Sequence, residues 1–222
     1  MKKAKFDAVI FDWDGTLADT RNAIVSSFQM VLKELGCGVS NEPIERRIGI
    51  GAANTFREIL SLCGMASTDE MIRELVDRKI RAELSLSDTV RLFDGAVELL
   101  ISVHGKKKTA LATMNDRTII ERMLHERNLV GFFDIVVTAN EVSHAKPDPE
   151  IFLTCAKKLE CEPQRCVVLE DSLFGVRAAK QAGMKCIAVG TGVYAKNELE
   201  TERPDKFVRT LKDTSIAKFV LS

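Results

Sequence analysis

The chain has 222 residues, 45% of them apolar, with 32 basic and 32 acidic side chains. That supply of apolar residues is enough for a sizeable core and excludes a disordered or fibrous chain. Balanced charge provides no net field for nucleic acid or an anionic membrane, so a small soluble partner is expected. The basic opening Met1-Lys2-Lys3 is followed by an apolar run of only Ala8 to Phe11 before Asp12 intervenes, too short for a signal peptide or a membrane span.

Ala8 to Phe11 reads as a first strand buried on both faces, and Asp12-Trp13-Asp14-Gly15-Thr16 follows it. The long interval that comes next carries helical stripes and no convincing strand. Ile24, Phe28, Val31, Leu32 and Leu35 mark one helix, Phe56, Ile59, Leu60 and Cys63 a second, and Ile72, Leu75, Val76 and Ile80 a third. A helical bundle inserted after the first strand is the economical reading. Polar residues interrupt the periodicity near Leu17 to Thr20 and Ser85 to Arg91, where linkers are expected.

Beyond the insertion, apolar runs at Thr109 to Ala112, Ile135 to Val137, Cys166 to Leu169 and Cys186 to Val189 read as buried strands. Stripes at Ala96, Leu99, Leu100 and Val103, at Ile119, Ile120, Met123 and Leu124, and at Ile151, Phe152, Cys155 and Leu159 place helices among them. This alternation predicts an α/β fold: a doubly wound parallel sheet, Rossmann-like, built from residues 1–17 and 89–222, with a helical-bundle cap at 18–88. The six cysteines are scattered and show no metal-finger spacing, so they read as reduced thiols of a cytoplasmic protein.

Parallel sheets bind ligands at the carboxyl ends of their strands. Alternation along an extended chain aims Asp12 and Asp14 to one side of that edge and turns Trp13 toward core packing. Thr113 closes the second strand, Lys146 lies in the loop after the third, and Glu170-Asp171 close the fourth. Each stretch alone has a plainer reading: Asp-Gly is a turn pair, Thr113 could cap the helix beginning near Asp116, and Glu170-Asp171-Ser172 could be an N-cap. Their convergence on one edge supplies what phosphoryl transfer needs: a nucleophile, a proton donor, a divalent cation and cover for phosphate oxygens. His104, His125 and His144 show no ligand spacing, and Lys106-Lys107-Lys108 reads as a solvated helix end.

Asp12-Trp13-Asp14-Gly15-Thr16-Leu17, Ala112-Thr113-Met114-Asn115, Lys146-Pro147-Asp148-Pro149-Glu150-Ile151-Phe152 and Leu169-Glu170-Asp171-Ser172, in that order, resemble the haloacid dehalogenase-like superfamily in its helical-cap branch. The resemblance spans nearly the whole chain. It implies that Asp12 attacks phosphorus while Asp14 protonates the leaving oxygen and then deprotonates the water that breaks the aspartyl-phosphate. It further implies that Thr113, Met114, Asn115 and Lys146 hold the phosphoryl group, and that Asp12, the Asp14 carbonyl, Glu170 and Asp171 hold Mg2+. Asp14 favours phosphate esters over the family's dehalogenases and phosphonate-cleaving enzymes. Sugar phosphomutases of the β-phosphoglucomutase type carry a histidine where Ile24 stands here, and Asp19 to Ile24 reads more like phosphatases acting on phosphoglycolate or similar monoesters. The expectation is a Mg2+-dependent phosphatase of a small phosphorylated metabolite, with a mutase as the alternative. A phosphoacceptor signalling domain or a silent binding protein is the reading from another class. Arg46, Arg47, Gly49 and Gly51, between two cap helices, are candidates for contacting the leaving group.

Overall fold

A computed structural model describes residues 5–222; the basic opening Met1-Lys2-Lys3 lies outside them. In chain order the elements are β1 (Ala8–Phe11), β2 (Ala18–Asp19), α1 (Arg21–Glu34), α2 (Asn41–Glu45), α3 (Ala52–Leu62), α4 (Asp69–Leu84), β3 (Arg91–Leu92), α5 (Ala96–Val103) and β4 (Lys108–Ala112). They continue with α6 (Arg117–Glu126), β5 (Ile135–Val137), α7 (Glu150–Lys158), β6 (Cys166–Glu170), α8 (Leu173–Gln181), β7 (Lys185–Val189), α9 (Lys196–Thr201), β8 (Lys206–Val208) and α10 (Ser215–Leu221).

Alternation along the strands builds two apolar layers. Val9 and Phe11 of β1, Leu111 of β4, Val167 and Leu169 of β6 and Ile187 and Val189 of β7 face α5, α6 and α10. Ala8 and Ile10, Ala110 and Ala112, Cys166 and Val168, and Cys186 and Ala188 face α7, α8 and α9. With both faces covered, these strands carry no polar side, which is why they read as continuous apolar runs. The sheet is parallel in the order β5-β4-β1-β6-β7-β8. Chain direction across the sheet reverses between β1 and β6, so a crevice opens at their carboxyl ends. Trp13 is fully buried in the first layer, as alternation requires.

The insertion has its own apolar core. Ile24, Phe28, Val31 and Leu32 of α1 pack with Ile44 of α2, Phe56, Ile59 and Leu60 of α3, and Ile72 and Leu75 of α4. Thr68 accepts a hydrogen bond from the Met71 amide and starts α4.

Three sequence expectations need correction. Cys37 and Cys63 are not reduced thiols: they form a disulfide, with Cα atoms 5.9 Å apart. The common apolar core of the insertion brings the segment just past α1 beside the end of α3, joining two cysteines 26 positions apart, a proximity that linear spacing does not encode. Cys155, Cys161, Cys166 and Cys186 are free, and burial pushes the Cys166 thiol up to about 12. The interval read as holding no strand contains two short ones, since Ala18 pairs with Leu92 and Asp19 with Arg91 in an antiparallel ribbon. Finally, the sheet gains an edge strand, β8, whose Lys206-Phe207-Val208 opens on a charge and lacks the continuous apolar run of the inner strands. No helix of the described residues is long and apolar enough to cross a membrane.

Candidate active site

Asp12 leaves the central strand where β1 lies between β4 and β6, and its amide donates to the Leu169 carbonyl at 3.0 Å. Parallel register sets Phe11 beside Leu169, so Asp12 and Glu170 emerge together at the crevice. From the loop after β5, Lys146 brings its Nζ to 2.6 Å from Asp12 Oδ1 and 2.6 Å from Glu170 Oε1. The other Glu170 oxygen accepts from the Asp171 amide, the Ser172 amide and the Ser172 hydroxyl at 2.9, 2.9 and 3.0 Å. Ser172 also caps α8 through the Gly175 amide, so the N-cap reading of this stretch holds beside the functional one. Thr16 Oγ1 donates to Asp171 Oδ1 at 2.9 Å.

Asp14 is held by different partners. Thr113 Oγ1 donates to its Oδ2 at 2.9 Å, and Asn115 Nδ2 donates to its Oδ1 at 3.2 Å. The two aspartates emerge on the same edge, yet one faces a lysine and the other a hydroxyl and an amide. Burial drives the Asp12 carboxyl well above the usual range against the pull of Lys146, with Glu170 and Asp14 adding to the rise. Burial likewise raises Asp14, and Glu83 adds to it. Asp171 is raised by burial, Glu170 and Asp12. Burial on its own would lower Lys146, but its two carboxylate neighbours hold it above the normal lysine range.

Among the described residues, every buried charged side chain belongs to this centre: the carboxylates of Asp12, Asp14, Glu83, Glu170 and Asp171, and the ammonium groups of Lys79 and Lys146. Carboxylates outnumber cations, and oxygens of Asp12, Glu170 and Asp171 lie within 4.8 Å of one another. Hard, negatively charged oxygen donors in excess of local cations fit a small divalent ion. Glycines leave those oxygens their space. A Cβ added at Gly192 would stand 1.9 Å from Asp171 Oδ2, and one at Gly175 1.8 Å from Glu170 Oε1. The Asp14 carboxylate, turned to Thr113 and Asn115, is outside this oxygen group.

The insertion roofs the crevice. Gly49 lies against Ser172 and Gly51 against Met114. Ile24, Phe28, Arg47, Gly49, Gly51 and Lys79 meet Asp14, Met114 and Asn115 around a space of about 30 Å³, roughly the volume of one water. On one flank, a cavity of about 340 Å³ runs between residues 50–57 and 76–80 of the insertion and residues 114–116 and 139–145 of the sheet domain. Arg47 lines the central space but pairs with Glu58. Arg46 departs from expectation. Its guanidinium reaches Glu198 at 2.6 Å and stacks over Tyr194, whose hydroxyl donates to the Arg46 carbonyl at 2.6 Å. It clasps the insertion to α9 and to Tyr194 in the loop before it instead of entering the centre.

Sequence reading missed Lys79 and Glu83. Both are buried on α4 and paired with each other, and the Asn115 amide donates to Glu83 Oε1 at 2.8 Å. A signal existed: the buried face of α4 runs Ile72, Leu75, Lys79, Glu83, so two charges continue an apolar stripe at helical spacing.

The sequence pattern of the haloacid dehalogenase-like hydrolases matches residues 9–189, and the chain belongs to that family. It is 33% identical to the fructose-1-phosphate phosphatase YqaB of Escherichia coli over 83% of this chain and 97% of that protein. It is 32% identical to a phosphorylated carbohydrates phosphatase of Thermotoga maritima over 93% and 99%. The β-phosphoglucomutase structure from Clostridium difficile superposes with a TM-score of 0.86 at 25% identity, covering 96% of each chain.

Proposed function

We propose that this phosphoric monoester hydrolase removes phosphate from a small phosphorylated carbohydrate, using Mg2+ and a covalent phosphate on Asp12. The observation that carries the reading is the division between the two aspartates: Asp12 pairs with Lys146, while Asp14 sits with Thr113 and Asn115. The fructose-1-phosphate and carbohydrate phosphatases among its relatives support the substrate class.

In this reading an Asp12 oxygen attacks phosphorus and the ester P–O bond breaks. Asp14 gives its proton to the departing alkoxide, and the raised pKa of a buried carboxyl favours its carrying one beforehand. Asp14 then takes a proton from the water that attacks the aspartyl-phosphate, releasing phosphate and restoring Asp12. Lys146 keeps Asp12 in place and, with Thr113 and the Met114-Asn115 backbone, covers the phosphoryl oxygens. Asp12, Glu170, Asp171 and the Asp14 carbonyl would hold Mg2+, which when bound neutralises charge on the nucleophile and the phosphoryl group. Residues 18–88 act as a cap that swings aside to admit substrate, since the central space holds roughly one water. Arg47, Gly49 and Gly51 on its underside sample the leaving group. Ile24 lines that space, and its apolar side chain cannot relay a proton, which favours hydrolysis over the mutase alternative. The expectation of a cytoplasmic location rests on the substrate class alone, because one cysteine pair is bonded.

Purified protein with Mg2+ is expected to hydrolyse 4-nitrophenyl phosphate and a subset of sugar phosphates, and chelation should abolish both activities. A protein that binds Mg2+ yet turns over nothing in a panel of phosphorylated sugars, acids and nucleotides would sink the reading.

Gly192→Ala offers a separate check on the cation. The added methyl must displace Asp171, so Mg2+ affinity measured by calorimetry should fall about 10- to 100-fold. Unchanged affinity would remove Asp171 from the donor set.

A further inference from the structure

Lys79 and Glu83 stand out because burying an ion pair is costly and an apolar pair in the same positions would hold α4 as well. Neither is needed by the insertion's apolar core, which is built from Ile24, Phe28, Phe56, Ile59, Ile72, Leu75 and their neighbours. What distinguishes Glu83 is its hydrogen bond across the crevice. The Asn115 side-chain nitrogen has two protons, one directed to Glu83 Oε1 at 2.8 Å and the other to Asp14 Oδ1 at 3.2 Å. The orientation of that amide is set independently, since its oxygen accepts from the Asp116 amide at 2.8 Å. Thr113 holds the second Asp14 oxygen.

The geometry points to Glu83 as a positioning residue: through Asn115 it orients the Asp14 carboxylate, so that the proton donor is set for the leaving oxygen only while α4 lies over the crevice. This rests on the phosphatase reading. Pairing with Glu83 has a second effect, because it restrains the Lys79 ammonium, which lines the same small space as Asp14 and would otherwise compete for its carboxylate. A water-filled, open crevice would therefore lack a correctly aimed acid, and a closed one would have it.

The consequence is a dependence on leaving group that a merely structural residue would not produce. A phenolate of low basicity departs without a proton, whereas a sugar or alkyl alkoxide needs one. The test measures kcat/KM, which reports transfer to Asp12 and not the later hydrolysis, for a series of aryl phosphates and one alkyl phosphate with Mg2+ present. Wild type should be nearly level across the series. Glu83→Met, which keeps volume but removes the acceptor, should lose about 10- to 100-fold with the alkyl ester and far less with 4-nitrophenyl phosphate. Glu83→Gln, which retains an acceptor oxygen for Asn115, should keep the wild-type slope. An equal loss on every ester, or a wild-type slope in Glu83→Met, overturns the proposal. Should Glu83→Met fail to fold, Asn115→Ala cuts the same bridge from the other end, and a level profile there overturns it equally. Wild type silent on every ester would overturn the phosphatase reading and this assignment with it.

Discussion

Asp12→Asn is expected to remain folded and to lose turnover by on the order of 10⁴-fold or more, because an amide cannot form the covalent phosphate. Structural damage should be small. Asn is nearly isosteric, keeps an oxygen for Lys146, and removes one negative charge from a centre where burial and neighbouring carboxylates already disfavour it. Lys146 also retains Glu170 at 2.6 Å. The checks are a melting temperature within a few degrees of wild type and steady-state assays with 4-nitrophenyl phosphate. Mass spectrometry after acid quench should find no phosphate on the variant. Substantial residual turnover in a preparation free of wild-type enzyme would remove Asp12 from the role of nucleophile.

Lys146→Met should damage both stability and activity. The side chain is fully buried between two carboxylates, and methionine fills most of its volume while supplying no charge. Removing one partner of a buried ion pair leaves the other uncompensated, at a cost of about 3–5 kcal/mol. Here two carboxylates are left facing each other, so protonation of one will absorb part of that cost. Loss of a cation beside the transferring group should lower kcat by about 10²–10³-fold. Mg2+ should stabilise this variant more than wild type in urea unfolding, because the ion supplies charge to the same carboxylates. Stability within about 1 kcal/mol of wild type without Mg2+ would mean that the lysine does not hold the centre together.

Legibility of the chain followed its periodicity. Strands such as Cys166–Glu170 were evident because apolar layers cover both faces, and α1, α3 and α4 because their stripes feed a common core. The candidate catalytic edge was legible for a related reason: Asp12, Thr113 and Glu170 sit at or just beyond strand ends, and parallel strands deliver their carboxyl ends to one side. Contacts made only by tertiary packing were not. Cys37, just past α1, meets Cys63, just past α3, because both helices feed one apolar core, and Arg46 turns to Glu198 because α9 and the loop before it lie against the insertion. Lys79 and Glu83 occupy the middle ground. Their stripe was visible, but charges at four-residue spacing on a helix ordinarily mark a solvated face, and only Asn115 across the crevice gives them another meaning.

The ribbon formed by β2 and β3 constrains how the helical insertion can travel. The polypeptide crosses between the two bodies twice, and the crossings are tied to each other by the pairing of Ala18 with Leu92 and Asp19 with Arg91, extended by the bond from the Phe93 amide to the Leu17 carbonyl at 3.0 Å. Independent strands would let one body slide along the other. Tied strands behave as a single axle, because shear between them breaks hydrogen bonds whereas bending both together does not. For the swing proposed above, this pairing leaves rotation about one line. A roof element such as Glu83 would then return to the same place over the candidate catalytic edge each time.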